Sequence, residues 1–152
     1  MYSLLLVLHS LLRWLVLLSL LYAIFRAIRG YFHRRPFGSA DNTIRHWTAT
    51  FAHIQLTIGF ILYFISPLIK SFWSQGLRAG SQLTFFGIIH ISMMFGAVVL
   101  ITIGSAMAKR QLVDNDKFKI MLVYFVLGLL LIFCAIPWPF SPLANRPYFR
   151  PF

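Results

Sequence analysis

Residues 2–25 read YSLLLVLHSLLRWLVLLSLLYAIF, an apolar run from Tyr2 to Phe25 broken by only two ionisable side chains, His9 and Arg13. A helix needs about 20 such residues to cross the hydrocarbon core of a bilayer. The run exceeds the apolar stretch of a cleaved secretory signal, about 7–15 residues, and has neither a basic leader nor a small-residue cleavage site. It is therefore expected to be a retained first transmembrane helix.

Three more runs of this kind follow, at 47–69, 83–108 and 118–138. The chain is 59% hydrophobic and 11% charged, with a mean hydropathy of +0.78, whereas soluble domains have about 25% charged residues. The fold class expected is an all-α membrane protein: a single four-transmembrane-helix domain over residues 1–152, an antiparallel bundle joined by short connectors. The segment 139–152 is Pro-rich and is expected to lie along the outer interface. The formal charge of +11 does not indicate nucleic acid, because the basic residues fall between apolar runs, where they orient a membrane protein and meet anionic headgroups.

The distribution of these basic residues predicts the orientation. Arg26, Arg29, Arg34, Arg35 and Arg45 lie in the first connector, and Lys109, Arg110, Lys117 and Lys119 in or beside the third, nine in all. The second connector (Lys70, Arg78) and the tail (Arg146, Arg150) hold four. The positive-inside rule then places connectors one and three in the cytoplasm and both termini outside, in a multi-pass protein of the inner (cytoplasmic) membrane. Trp47, Trp73 and Trp138 fall at run ends, where aromatic belts form.

Function is sought where ionisable groups enter hydrocarbon. His9, Arg13, His53 and His90 do so, while the only acids, Asp41, Asp114 and Asp116, lie between runs. An arginine at mid-membrane costs roughly 2.5–3.5 kcal/mol on insertion scales, so Arg13 is expected to meet a ligand or a buried polar cavity. His9 is one helical turn before Arg13 and shares its face. With each run centred on the midplane, His9 lies roughly 6 Å and His90 roughly 8 Å toward the outside, while His53 lies roughly 7 Å toward the inside. Two histidines at one depth on different helices can hold one haem iron from both sides. His9 and His90 are therefore the expected metal ligands, with Arg13 and His53 as further cofactor-binding candidates. Gly87, Met94 and Ala97 are expected to share the face of His90 and leave room for a flat ring. A lone membrane histidine can also simply bond a neighbouring helix, which is the competing reading of His53 with Thr50, Thr57 and Gln55 nearby. His33 and His46 are expected to be solvated. The single cysteine, Cys134, excludes quinone reductases of the vitamin K epoxide type, which need paired cysteines, and is expected to be an apolar packing residue.

The strings His9-Ser-Leu-Leu-Arg-Trp14, His53-Ile-Gln-Leu-Thr-Ile-Gly-Phe-Ile-Leu-Tyr-Phe-Ile-Ser-Pro67 and Ile136-Pro-Trp-Pro139 resemble a family of small four-helix membrane proteins of Bacteroidota, labelled cytochrome b-like. The resemblance covers nearly the whole chain. It departs at Ile89, where that family often has a glutamate before the histidine of the third run. The expectation is a membrane haem b electron-transfer protein with quinone as a candidate partner. The alternative is a non-catalytic accessory subunit of a larger respiratory or secretion complex. An enzyme of lipid-like substrates is disfavoured, because the small four-helix enzymes of that kind use acidic groups and this chain has no glutamate.

Overall fold

The computed structural model describes residues 1–75, 81–141, 144 and 146, and for Ser81 the backbone alone. Four long helices are each apolar and long enough to span a membrane: α1 (Tyr2–Phe32), α2 (Ser39–Ile65), a third over Gln82–Arg110, and a last over Asp114–Ala135. Numbered in full, α3 (Pro67–Gln75) and α4 (Ser81–Thr84) come before the π-helical segment Phe85–Ile89, which runs directly into α5 (His90–Arg110); α6 is Asp114–Ala135. In the bundle, α1 packs on α2 and α6, and α5 packs on α6 and, more loosely, on α2.

Helical structure continues past the apolar runs. The 31 residues of α1 span roughly 46 Å against a hydrocarbon core of about 30 Å, so its last two turns carry Arg26 and Arg29 beyond the apolar stretch. Most of the first connector is likewise helical, and only residues 33–38 join α1 to α2. The second run ends four residues earlier than hydropathy suggests, at Ile65, because Pro67 has no N–H to continue the ladder. Residues 67–75 of the second connector then form a separate helix, with Ile69 and Phe72 buried and Lys70, Ser71, Trp73 and Ser74 exposed. Arg78, Pro142, Pro147, Arg150 and Pro151 lie outside the described residues.

Packing between α5 and α6 relies on small residues, as expected where burial of apolar surface gives little drive between helices in lipid. A Cβ on Gly104 would lie 2.3 Å from Tyr124 Cβ, so the two backbones approach to a distance only glycine permits. Gly128 receives Ile101 in the same way, and at the α1–α6 contact the Phe118 ring lies over Gly30. Leu20, Ile101, Phe118, Met121 and Phe125 form the fully buried centre of the core.

The end of the bundle where α1 turns into α2 is closed by charge. Asp41, in the first turn of α2, is buried and accepts from Arg26 Nε at 2.9 Å, from Arg35 Nη1 at 2.9 Å and Nη2 at 2.7 Å, and from the Gly38 N–H at 3.1 Å. The last of these is half of a capping box, which holds an otherwise orphaned donor at the helix start. Arg45 is buried too. It donates to the carbonyl and hydroxyl of Ser105 on α5 and to Asn42 Oδ1. Counted by sequence among the connector residues, Asp41 and Arg45 are part of the packing. Cys134 is exposed on the outer surface of the bundle rather than packed inside. His33 and His46 are exposed, as expected.

Candidate functional site

At the opposite end of the bundle the four long helices enclose a cavity of about 210 Å³, bounded also by α3 and by the chain after α6. Benzene occupies an apolar cavity of about 150 Å³ in a well-studied protein, so this volume admits a ring-bearing ligand. His9 and Arg13 line it from α1, one turn apart, together with Tyr2 and Ser10. Gln55, Gly59 and Tyr63 line it from α2, at a spacing of four that places them on one face. Phe86, His90 and Met94 repeat that spacing on the facing wall, and Arg146 reaches in from beyond the last helix.

The ring centroids of His9 and His90 are 6.5 Å apart with their planes at 70°. The two histidines come from α1 and α5, which face each other across the bundle. His90 is oriented by its Nδ1, which lies 2.7 Å from the carbonyl oxygen of Ala135. A carbonyl only accepts, so Nδ1 carries the proton, and Nε2 of the neutral ring keeps its lone pair. This is the arrangement by which proteins orient an imidazole that ligates through the other nitrogen. The rings of Phe85 and Phe86 pack against His90, with centroids 5.9 Å from it.

The backbone conformation before His90 explains how it reaches the cavity. In the π-helical segment the His90 N–H bonds to the Phe85 carbonyl, one residue further back than in an α-helix. Single π turns of this kind insert an extra residue and re-aim the side chains that follow. Tyr63 donates its hydroxyl to the Gly87 carbonyl at 3.0 Å, which satisfies a group that the widened turn displaces. The same turn corrects the expected small-residue face. Gly87 points away from the cavity and packs on the Phe72 ring of α3, where a Cβ would come within 2.6 Å, and Ala97 lies in the core. Of the three residues expected beside His90, only Met94 lines the cavity.

His9 rests on Gly59: a Cβ there would lie 3.3 Å from His9 Cε1. Gln55 donates to the His9 carbonyl at 2.9 Å. The buried Nδ1 of His9 and the buried Oε1 of Gln55 have no partner among the described residues. Unsatisfied polar atoms are rare inside proteins, and two of them facing one cavity leave capacity for a bound group. Arg13 also stacks on Trp14, its guanidinium carbon 5.3 Å from the ring centre.

His53 is not part of this site. It projects from the outer surface of α2, six residues before Gly59, and its Nε2 lies 2.9 Å from the Thr102 hydroxyl of α5. The structure thus brings His9, Arg13 and His90 together and leaves His53 apart.

Gln55, Tyr63 and Arg146 are site residues that the sequence reading did not single out. Gln55 carried a signal, being polar within an apolar run and four residues before Gly59 on one helical face. Tyr63 carried none, because its role depends on the π turn, and Arg146 reaches the cavity only through the return of the tail. Comparison with protein-family models, with curated proteins and with solved structures finds no match to this chain.

Proposed function

We propose that this chain is a membrane haem b electron-transfer protein in which His9 and His90 would hold the haem iron. The observation that carries this reading is the separation of the rings. Two imidazoles bound to one metal have centroids roughly 6.3 Å apart, from two metal–nitrogen bonds of about 2.0 Å and a ring-centre offset of about 1.1 Å on each side. The observed centroid separation of 6.5 Å is close to that value. Among the described residues no group of three or more His, Cys, Asp or Glu could hold a bare metal ion. Two histidines alone are what an iron needs when a porphyrin supplies its other four nitrogens. Haem would contribute one-electron redox chemistry. The protein would contribute ring orientation through the Ala135 carbonyl, exclusion of water by the surrounding apolar walls, and a guanidinium at Arg13 facing the anionic edge of a ligand.

Two other features support this reading. The sequence strings quoted above resemble the cytochrome b-like family of Bacteroidota. The distribution of basic residues favours an inner-membrane protein with both termini outside, which places the Asp41 cluster at the cytoplasmic end and the histidine cavity in the outer half.

The test is the visible spectrum of protein purified with haem supplied during expression, reduced against oxidised. A sharp α-band that is lost or becomes high-spin in His9→Ala and in His90→Ala, and persists in His53→Ala, is expected. A folded, colourless protein would refute the proposal and favour an accessory subunit of a larger membrane complex.

A further inference from the structure

His90 Nδ1 has a bonded acceptor, the Ala135 carbonyl, whereas the buried Nδ1 of His9 has no partner among the described residues. That nitrogen is on the α2 side of the ring: a Cβ on Gly59 would lie 3.9 Å from it and 3.3 Å from Cε1. Gln55 is one turn before Gly59 on the same face of α2. It already holds His9 by the backbone, donating from Nε2 to the His9 carbonyl at 2.9 Å. A carbonyl only accepts, so this bond identifies the amide nitrogen and leaves Oε1 as the remaining acceptor. Oε1 is itself buried and has no partner among the described residues.

These two orphaned atoms are complementary in only one arrangement of protons. With Nδ1 bare, the α1–α2 contact would hold two buried acceptors and no donor for either. With Nδ1 protonated, it holds one donor and one acceptor. Buried polar groups are almost always satisfied, so the second arrangement is favoured. In a neutral ring a proton on Nδ1 leaves the lone pair on Nε2. That is the form the Ala135 carbonyl imposes on His90.

We propose that Gln55 is a positioning residue for His9. Its Oε1 accepts the hydrogen bond of the Nδ1 proton, directly after a turn of the amide or through one bridging water, and so holds the ring with Nε2 bare. Gln55 then does for His9 what the Ala135 carbonyl does for His90, with one side chain fixing both backbone and ring. The Nδ1 proton follows from the hydrogen-bond inventory whatever the cavity holds, and an effect on iron rests on the haem reading above. Losing a partner of this kind weakens metal affinity about 10–100-fold.

The test uses the full chain in lipid nanodiscs with isotope-labelled histidine, read by nitrogen NMR, prepared with and without haem supplied. The His9 ring signals are those lost in His9→Ala. Without haem, the parent should show His9 protonated on Nδ1 and bare on Nε2. Gln55→Glu keeps an acceptor but loses the donor to the His9 carbonyl, so it should retain that pattern. Gln55→Leu keeps neither and should lose it, the proton moving to Nε2 or being shared between the two nitrogens. A merely structural role through the carbonyl bond would alter both variants alike. With haem, Gln55→Leu should bind about 10–100-fold more weakly, and Gln55→Glu should have a lower midpoint potential, because a carboxylate partner makes the imidazole more basic. Three outcomes would overturn the proposal: a parent His9 protonated on Nε2 alone, a Gln55→Leu variant with an unchanged His9 pattern or unchanged haem affinity, or equal changes in both variants. A parent with the Nδ1 pattern that takes up no haem would refute the haem reading and leave the role of Gln55 standing.

Discussion

Replacing Asp41 with alanine should destabilise the fold by about 3 kcal/mol. The carboxylate is 2% exposed and accepts four hydrogen bonds, three of them from two guanidiniums and one from the Gly38 N–H. Breaking a buried ion pair by removing one partner costs about 3–5 kcal/mol, mainly because the remaining charge stays buried. Here that term is reduced, because the side chains of Arg26 and Arg35 are 25% and 32% exposed and can recover water. The loss of the helix-start bond adds about 1 kcal/mol. The total therefore falls at the lower end of the range for buried pairs. The assay is reversible unfolding in mixed micelles, read by far-UV circular dichroism, for Asp41→Ala, Arg35→Ala and the double variant. The coupling energy between Asp41 and Arg35 should be about 1.5–3 kcal/mol, as for hydrogen bonds to charged groups. An Asp41→Ala cost below about 1 kcal/mol, or a coupling near zero, would show that the cluster is a solvated surface group and not a clasp.

Three further outcomes are expected. Gly104→Ala, whose Cβ would lie 2.3 Å from Tyr124 Cβ, should cost about 2–3 kcal/mol by forcing α5 and α6 apart, measured by the same unfolding titration. Arg13→Leu should insert at least as well as the parent, since a charge costing roughly 2.5–3.5 kcal/mol is removed, yet it should lose pigment; retention of a full reduced-minus-oxidised spectrum would assign Arg13 to the interface alone. Reporter fusions at the C-terminus should be active only outside the cytoplasm, and activity inside would reverse the orientation drawn from nine against four basic residues.

Much of this architecture could be read from the sequence, because hydropathy over 20 residues measures a physical requirement that any spanning helix must meet. The four spans follow from it. Their ends do not, because helix termini depend on local hydrogen bonds: Pro67 stops α2, and α1 continues through Arg26 and Arg29 because its backbone bonds do not depend on apolar side chains. The proximity of His9 and His90 followed from depth alone, a one-dimensional argument that holds when helices cross the membrane nearly upright. The small-residue face expected at Gly87 failed for a different reason. Counting three residues back from His90 assumes an α-helix, and the π turn breaks that count. The burial of Asp41 and Arg45 was not legible either, since a charge near a run end reads identically whether it is solvated or locked to a neighbouring helix.

The two ends of the bundle divide the work of polar residues. At the Asp41 end several charged groups are matched: Arg26 and Arg35 to Asp41, Lys117 to Asp114 at 2.7 Å, and Arg45 to Ser105 and Asn42. These bonds tie α1 to α2 and α2 to α5. At the His9 end, polar groups converge on a cavity and some of their valences stay open, at His9 Nδ1 and Gln55 Oε1. A chain with three acidic residues has placed all of them at the first end, Asp41 and Asp114 in ion pairs, and lines the other with histidine and arginine. That asymmetry sets the cavity apart from an ordinary packing defect: its imidazoles are held, one by the Ala135 carbonyl and one against Gly59, with their ring centroids 6.5 Å apart.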